Sequence, residues 1–481
     1  MFSKAQVIQA IRWALLGRLL AQVITWSVSL IVLRYVSPES YGSYIVVQLM
    51  ISFCMMVNVF GFDKLIIQTK NLSKSQAKNI LFIMVCLSIL FVALINLTSP
   101  IISEFYNYDG LQDKIFYLSF ALLLTPWLSL AEAYLDKELR FKEKAKCNLA
   151  VALACSVITI ILILNEFGIW ALVASFLVQR VSLCICYCVI AQTPLLPSVN
   201  FSNFSKLGFT SGLFLLGDVL WFLTQSVDGL LGASWYSMQV YGFYALAIHL
   251  SSLILNKMMP IFNQTMMAFI AKIQDQKDKV LMSLRKVLGL SLYVSIPIFW
   301  GLATVAEPLV LAVFGPKWQQ SAIIISVLCA IIPLKINNSI VSMTLLGMGE
   351  AKLLMLIRLL VLISLSAALF GFKQFSELGL VYAVAVSIFI HALVNIIVVY
   401  KIFGQFIGFS FKPILFGVLM VSSCLLLSSF LNSLTLPLII NLIIEITIGV
   451  LCYVILMYAL ASDVTTEIKT WFKGETSLKL T

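Results

Sequence analysis

The sequence predicts an all-α polytopic membrane protein with 14 transmembrane helices: two six-helix lobes, related as parallel repeats, followed by two C-terminal helices. The first indication is composition, because 61% of the 481 residues are hydrophobic and only 11% are charged, against about 25% charged in typical soluble proteins. The second is a succession of apolar stretches long enough to cross a bilayer as helices. The third is an internal repeat. A secreted disulfide scaffold, a nucleic-acid-binding domain and an intrinsically disordered chain are excluded.

The apolar stretches define the predicted helices in order, and polar connections mostly shorter than about twenty residues separate them. No small-residue cleavage site follows the first stretch, so we expect a retained helix and not a signal peptide. The predicted spans are residues 12–34, 42–62, 80–103, 115–134, 147–165, 168–191, 208–232, 240–262, 287–314, 321–346, 351–371, 377–402, 412–432 and 435–461.

The positive charges indicate which side of the membrane each connection occupies. With the N-terminus in the cytoplasm, 24 of the 32 Lys and Arg residues fall in cytoplasmic loops or termini and only 4 fall on the opposite side. Cytoplasmic loops of membrane proteins carry such an excess of Lys and Arg. We therefore expect both termini in the cytoplasm, which requires an even number of spans. The net charge of +11 is then loop charge and does not point to nucleic acid.

The internal repeat has a period of 200 to 211 residues and divides the predicted helices into lobes. It predicts an N-lobe over 1–191, an interlobe loop over 192–207, a C-lobe over 208–402, and two further helices with a cytoplasmic tail over 403–481. Six helices per lobe give both lobes the same orientation, which is a transporter architecture. The matching positions are Tyr41-Gly42-Ser43-Tyr44 with Tyr241-Gly242-Phe243-Tyr244, Gly168–Ala174 with Gly379–Ala385, and Pro126 with Pro333.

Polar residues inside the spans are the candidate site residues, because a charge at the bilayer centre costs about 2.5–3.5 kcal/mol on insertion scales. Arg18 begins a polar face of the first span, and Asp218 and Asp228 lie on the matching seventh span. Arg18 and Asp218 are 200 residues apart, so we expect them to face each other. The alternative for Arg18 is a side chain that reaches the cytoplasmic headgroups.

The other intramembrane cations extend this set. Arg180 lies about twelve residues from either end of the sixth span, too deep to reach the headgroups, and His391 is its counterpart in the twelfth span. Each of the two histidines, His249 and His391, can instead be an ordinary hydrogen-bonded packing residue. The predicted substrate-binding residues are Arg18, Arg180, Lys335, Arg358 and His391, and the predicted coupling or gating residues are Asp218, Asp228 and His249.

A cationic cavity predicts an anionic substrate, and Arg matches phosphate geometry with paired donors. Titration of an Asp or a His can couple transport to H⁺, and Na⁺ coupling is equally open. The ten cysteines lie almost entirely within spans and are expected to be packing residues. We find no Walker loop, HExxH or dinucleotide motif, so we expect no cofactor, no metal and no enzymatic activity.

Four motifs in the connections between spans carry a family resemblance. They are Val36-Ser37-Pro38-Glu39-Ser40-Tyr41-Gly42, Lys137–Phe141, Phe269–Asp275, and Glu307–Val310 continuing into Val313-Phe314-Gly315-Pro316-Lys317-Trp318. With these motifs the chain resembles the polysaccharide transporter (Wzx-type) family, most closely its colanic-acid and teichuronic-acid exporter branch. That family belongs to the superfamily that includes multidrug exporters and the peptidoglycan-precursor flippase. Pro316 departs from the acidic or small polar residue usual in the last motif.

The resemblance implies flipping of an undecaprenyl-pyrophosphate-linked oligosaccharide across the bacterial inner membrane by alternating access, for O-antigen, capsule or exopolysaccharide synthesis. Implied partners are this lipid-linked substrate, bilayer lipids and the polysaccharide polymerase machinery. One alternative is a cation-coupled multidrug exporter of the same fold. Another is a membrane enzyme such as a glycan polymerase or acyltransferase, although no outward loop exceeds about eleven residues.

Overall fold

The computed structural model describes residues 21, 23–69, 72–194, 196–198, 204–375, 378–406, 408, 411–432 and 437–460. These residues form α-helices and one short 3₁₀-helix, with no strand among them. The helices are α1 (Val23–Tyr35), α2 (Pro38–Val59), α3 (Phe62–Gln68), α4 (Lys74–Phe105), α5 (Leu111–Lys137), α6 (Phe141–Leu164), α7 (Trp170–Ala191), α8 (Phe204–Trp235), α9 (Met238–Ile273), α10 (Lys277–Thr304), α11 (Ala306–Val313), η1 (Pro316–Trp318), α12 (Gln320–Gly347), α13 (Ala351–Phe372), α14 (Gly379–Phe403), α15 (Lys412–Asn432) and α16 (Leu438–Leu460).

The predicted fold class is confirmed. Among the described residues, 12 helices are long and apolar enough to cross a membrane, and α1 is a shorter apolar helix. The 32-residue helix α8 covers the predicted span 208–232. Within the described residues, each predicted span is largely helical, because the length of an apolar stretch reflects bilayer thickness. Residues 12–20 and 22 of the first predicted span lie outside the described residues.

One predicted span is interrupted. The stretch 287–314 is two helices, because α10 ends at Thr304 and α11 begins at Ala306, with Val305 between them. Pro308 explains the break: it has no N–H to donate to the carbonyl of Thr304, as a continuous helix would require. In the first turn of α11 the missing N–H costs nothing, because the first N–H groups of a helix have no intrahelical partner.

A second difference is α3, a seven-residue helix in a connection predicted to be a loop. Phe60 and Gly61 both have a left-handed backbone, with φ of 51° and 69°, and turn the chain out of α2. The buried face of α3 then packs against α4 and α5 through Phe62, Leu65 and Ile66. This packing fixes the direction of α3 and so places the neighbouring polar residues Asp63 and Lys64.

The chain divides into two compact units, residues 1–242 and 243–481. In the first unit α5 packs against α4, α7, α2 and α3, α6 packs on α7, and α8 packs on α2. In the second unit α12 packs against α10 and α14, and α13 packs on α14. The order of neighbours α4–α5–α7–α6 therefore recurs as α10–α12–α14–α13, which is the structural form of the repeat. The predicted lobe limits stay a prediction.

The last two helices pack on α10 in the second unit. Gly417 of α15 lies where a Cβ would meet Ile296 and the ring of Trp300, so α15 approaches α10 closely. The Tyr453 hydroxyl of α16 donates to the Tyr293 carbonyl oxygen at 3.1 Å. A small residue and one buried hydrogen bond thus hold both helices against α10.

The Phe-Gly-x-Lys-Trp segment is a packing element. Gly315 has φ of 89°, a left-handed conformation that favours glycine. The turn directs Trp318 inward, where it is fully buried and its ring meets Phe243 edge-to-face at 6.2 Å between centroids. The segment thus anchors Trp318 in the core of the second unit.

Candidate functional site

The first unit contains a polar cavity of about 410 Å³ between α2, α3, α5 and α7. Four charged side chains line it: Asp63 from α3, Glu132 and Asp136 from α5, and Arg180 from α7. The remaining lining includes Ser52, Thr125 and Ser129 together with methionines and aliphatic residues. The cavity therefore combines charge with adaptable apolar surface, which suits a ligand with both kinds of group.

Arg180 lies near the middle of α7, as the sequence predicted, and it lines the cavity. Its guanidinium carbon is 5.1 Å from the Phe176 ring centroid, within cation–π range. It also interacts electrostatically with Glu132 and Tyr44. The neighbouring Gln179 lines a separate pocket of about 230 Å³ with Thr25 of α1, so two polar side chains from different helices meet there.

The acidic residues of this cavity were not predicted from the sequence. Glu132 and Asp136 are one turn apart on α5, and Lys144 of α6 bridges them with N–O distances of 2.8 and 2.7 Å. Lys144 itself is only 15% exposed. The signal was present in the sequence as an i, i+4 acid pair followed by a basic segment, but only the basic residues of that segment, Lys144 among them, were considered, as loop charge.

Asp63 adds a fourth ionisable group to the same wall. Its Oδ1 atom is buried and has no hydrogen-bond partner among the described residues. Burial raises the pKa of the Asp63 carboxyl, and the nearby Asp218 carboxylate raises this pKa further, while Lys64 lowers it. Burial therefore disfavours the charged form of Asp63.

Asp218 has a partner different from the predicted one. Both of its carboxylate oxygens accept from the Lys64 ammonium, at 2.5 and 2.6 Å, which joins α3 to α8. The two side chains are 39% and 33% exposed. Arg18 lies outside the described residues, so its pairing with Asp218 stays a prediction.

The Lys64–Asp218 pair is one end of a long contact between α2–α3 and α8. Further along, the rings of Phe53 and Phe222 are in contact at a tilted angle, with 5.4 Å between their centroids. Beyond them, Gly229 lies where a Cβ would meet the Leu49 side chain at 2.6 Å. The antiparallel helices α2 and α8 therefore stay in contact over most of their length.

The other end of this contact is formed by the two copies of the Tyr-Gly-x-Tyr motif. A Cβ on Gly42 would lie 2.9 Å from the Gly242 nitrogen, and one on Gly242 would lie 2.5 Å from the Pro38 carbonyl carbon. Each motif follows a serine cap, because Ser37 accepts from the Ser40 N–H and Ser237 accepts from the Val240 N–H. The repeat thus brings two helix beginnings into backbone contact that only glycine permits.

In the second unit, Lys335 and His391 lie beside a buried polar network and interact electrostatically. The Asn395 amide donates to the Asn338 side-chain oxygen at 3.1 Å, and the Asn338 amide donates to the Ile388 carbonyl at 3.1 Å. Asn338 and Asn395 are 4% and 2% exposed. The structure therefore brings Lys335 and His391 together. Asn338 and Asn395, whose pairing was not predicted, link their helices α12 and α14.

The structure places the remaining predicted residues apart from these groups. Asp228 is half-buried on α8 and interacts electrostatically with Tyr241. His249 is half-buried on α9, where its carbonyl accepts from the Ser252 hydroxyl at 2.9 Å. Arg358 is half-buried on α13, and no ion pair involves it among the described residues.

Comparison with known proteins finds similarity to proteins of polysaccharide biosynthesis. The family model described as "Polysaccharide biosynthesis protein" matches residues 31–323. The chain is 24% identical over 304 residues to the lipopolysaccharide biosynthesis protein WzxC of Escherichia coli (strain K12), covering 62% of this chain and 61% of that one. It is 25% identical over 307 residues to the teichuronic acid biosynthesis protein TuaB of Bacillus subtilis (strain 168), covering 63% of each. The matches thus span about three-fifths of these relatives.

Two solved structures share the fold. The chain is similar to the lipid II flippase MurJ in an inward closed conformation, with a TM-score of 0.70 and 14% identity, covering 95% of this chain and 100% of that one. It is also similar to an inward-facing multidrug resistance MATE family transporter of the MOP superfamily, with a TM-score of 0.63 and 12% identity over 81% of this chain and 98% of that one. At these identities the likeness establishes the fold.

Proposed function

Because the chain belongs to the polysaccharide biosynthesis protein family, we propose that this multi-pass membrane protein flips an undecaprenyl-pyrophosphate-linked oligosaccharide across the bacterial inner membrane. The substrate would supply surface polysaccharide synthesis, and the polymerase machinery would receive it. The observation that carries the proposal is the cavity in the first unit, where Arg180 lies deep within a membrane-spanning helix. A mid-membrane arginine that lines a cavity is a functional group by default.

Arg180 suits the charged part of such a substrate. A pyrophosphate diester carries about two negative charges at neutral pH, and a guanidinium can donate to two phosphate oxygens at once. The neighbouring serines and threonine offer hydroxyl groups to the sugar. Lys335 and His391 are the corresponding groups that we assign to the substrate in the second unit, and Arg18 and Arg358 complete the proposed set.

We propose that the transport path closes at the two ends of the contact that α2 and α3 make with α8 and the start of α9. The charge distribution assigns the Lys64–Asp218 end to the cytoplasmic side and the Gly42–Gly242 end to the opposite side. Alternating access requires that only one of them be open at a time. Protonation of Asp218 would remove its attraction to Lys64, which offers a route for H⁺ coupling at the cytoplasmic closure. Asp228 and His249 are further candidates for the coupling residue. Coupling to Na⁺ instead of H⁺ is the alternative.

A cation-coupled multidrug exporter is the second candidate function, and one observation favours it. Three of the four charged residues of the cavity are acids, namely Asp63, Glu132 and Asp136. Acidic cavities suit cationic drugs by Coulomb attraction. Lys144 offsets this argument because it is paired with both α5 acids. A transporter is proposed over a membrane enzyme because the solved structures that share the fold are a flippase and an exporter.

The test is a substitution series at Arg180 in a strain without a redundant flippase. We expect Arg180→Lys to retain more export than Arg180→Ala, and Arg180→Glu to retain least, because charge matters more than shape for the headgroup. Lipid-linked glycans are extracted and surface glycan is assayed in the same cells. Arg34→Glu, at the exposed end of α1, is the matched control and should export normally.

The expected result for Arg180→Glu at normal abundance is accumulation of the lipid-linked repeat unit with loss of surface glycan. Normal surface glycan without an accumulated intermediate, both in Arg180→Glu cells and in cells lacking the protein, would contradict the flippase and favour the drug exporter. Increased sensitivity of the same cells to cationic drugs would then identify that activity.

A further inference from the structure

A second cavity lies in the second unit, between α10, α15 and α16. Its volume is about 590 Å³, within the range of sites for drug-sized ligands. The lining is apolar or aromatic almost throughout and includes Gly301 and Gly449. Val450 and Val454 on its rim are 56% and 42% exposed, so the groove opens laterally, toward the position of the lipid.

One carboxylate interrupts this apolar surface. Glu445 of α16 lines the groove and is only 4% exposed. No ion pair involves it among the described residues. The Cys424 thiol forms a weak hydrogen bond to its backbone carbonyl, at 4.0 Å, and interacts electrostatically with Glu445. An acid retained at such a position without a partner is costly. A groove that served only apolar chains would not need it.

Three tyrosine rings accompany the acid. Tyr293, Tyr453 and Tyr458 line the same groove. The Tyr453 hydroxyl is already engaged by the Tyr293 carbonyl oxygen, which fixes that ring in place. Aromatic faces attract organic cations, and aromatic enclosures are a known means of recognising quaternary ammonium groups. The acid and the rings therefore favour the same kind of ligand.

We propose that this groove is a binding site for a lipophilic organic cation, with Glu445 as its counter-ion. The cation enters laterally from the bilayer past Val450, its apolar groups cover the aliphatic wall, and its charge lies against Glu445. Desolvation in the groove strengthens this attraction relative to water. The site is distinct from the Arg180 cavity, and its ligand has the opposite charge to the proposed glycolipid.

The test compares two probes of the same shape and opposite charge, tetraphenylphosphonium and tetraphenylborate, on the purified full-length protein in lipid nanodiscs. We expect saturable binding of radiolabelled tetraphenylphosphonium that Glu445→Gln weakens about tenfold or more. Glu350→Gln, an exposed acid of the same unit, should bind as the wild type does. An excess of tetraphenylborate should not compete.

A second variant keeps the test decisive if Glu445→Gln fails to fold. Val450→Trp fills the mouth of the groove and leaves Glu445 in place, whereas Ile443→Trp, at an exposed position of α16 outside the groove, is the size control. We expect only Val450→Trp to reduce phosphonium binding. Equal binding by folded Glu445→Gln and the wild type, competition by the borate, or equal binding by both tryptophan variants would each overturn the proposal.

Discussion

The glycine contact between α2 and the start of α9 yields the sharpest prediction, because the required movement can be read from the structure. In Gly242→Ala the new Cβ would lie 2.5 Å from the Pro38 carbonyl carbon and closer still to its oxygen, where ordinary contact begins at 3.4 Å. The two backbones must therefore part by at least 0.9 Å, the difference between these distances. The obstacle is backbone, so no side-chain rotation relieves it.

Overpacking of this kind costs about 1–3 kcal/mol. The penalty applies only while the contact is closed, so it shifts the balance toward an open contact by about 5- to 150-fold. Ser43 reports this change because it adjoins Gly42 and is fully buried. A Ser43→Cys side chain, in a background without the native cysteines, should react slowly with an impermeant thiol reagent in the closed contact and faster when Gly242→Ala is added.

Gly217→Ala is the matched control, since nothing lies within 4 Å of its added Cβ. It should leave Ser43→Cys labelling unchanged. Unchanged labelling in Gly242→Ala, with the protein folded and at normal abundance, would refute the idea that this contact is a closure of the transport path. Labelling that rises equally in both alanine variants would show a general loosening and refute it as well.

Three further predictions follow from the charged groups. The double variant Lys64→Asp, Asp218→Lys should display more surface glycan than either single variant. The expected effect is on transport, because an exposed ion pair stabilises the fold by less than about 1 kcal/mol. A double variant that displays no more surface glycan than the worse single variant would contradict the prediction. The raised pKa of the Asp63 carboxyl means that the fold loses stability as this group ionises with rising pH. Asp63→Asn should therefore raise the melting temperature most at alkaline pH, and an increase in melting temperature that grows toward acidic pH would contradict this prediction. Single cysteines introduced at the exposed positions Glu39 and Lys317 should react with an impermeant thiol reagent applied from outside the cell. Cysteines introduced at the exposed positions Lys142 and Lys277 should not.

The helices could be predicted from the sequence because each depends on one local property, an apolar stretch of bilayer length. The same reasoning missed α3, since seven residues are too few to register in a window of that length. It also missed the break at Val305, because hydropathy does not detect the missing N–H of Pro308. Both errors occur where backbone hydrogen bonding, and not hydrophobicity, decides the structure.

The candidate site was harder to predict because it depends on which helices are neighbours. Arg180 stood out as a lone cation deep in a span, and it does line a cavity. Glu132, Asp136 and Lys144 escaped notice because each lies near a helix end, where charge is ordinary. Their pairing becomes visible only once α5 and α6 are placed side by side.

The motifs that identify the family and the residues that line the cavity are different sets, and the structure explains why. Packing restricts the residue type at Gly42 and Gly242, because any side chain there would clash with neighbouring backbone. It also restricts the residue type at Trp318, because replacing this fully buried ring by a smaller side chain would leave a cavity. Arg180 and its acidic neighbours line open space, where changes of side chain cost little folding energy. In the proposed function, closure of the path therefore depends on positions where packing restricts the residue type, whereas recognition of the substrate depends on positions where the side chain can change at little folding cost. The same scaffold then accommodates different substrates.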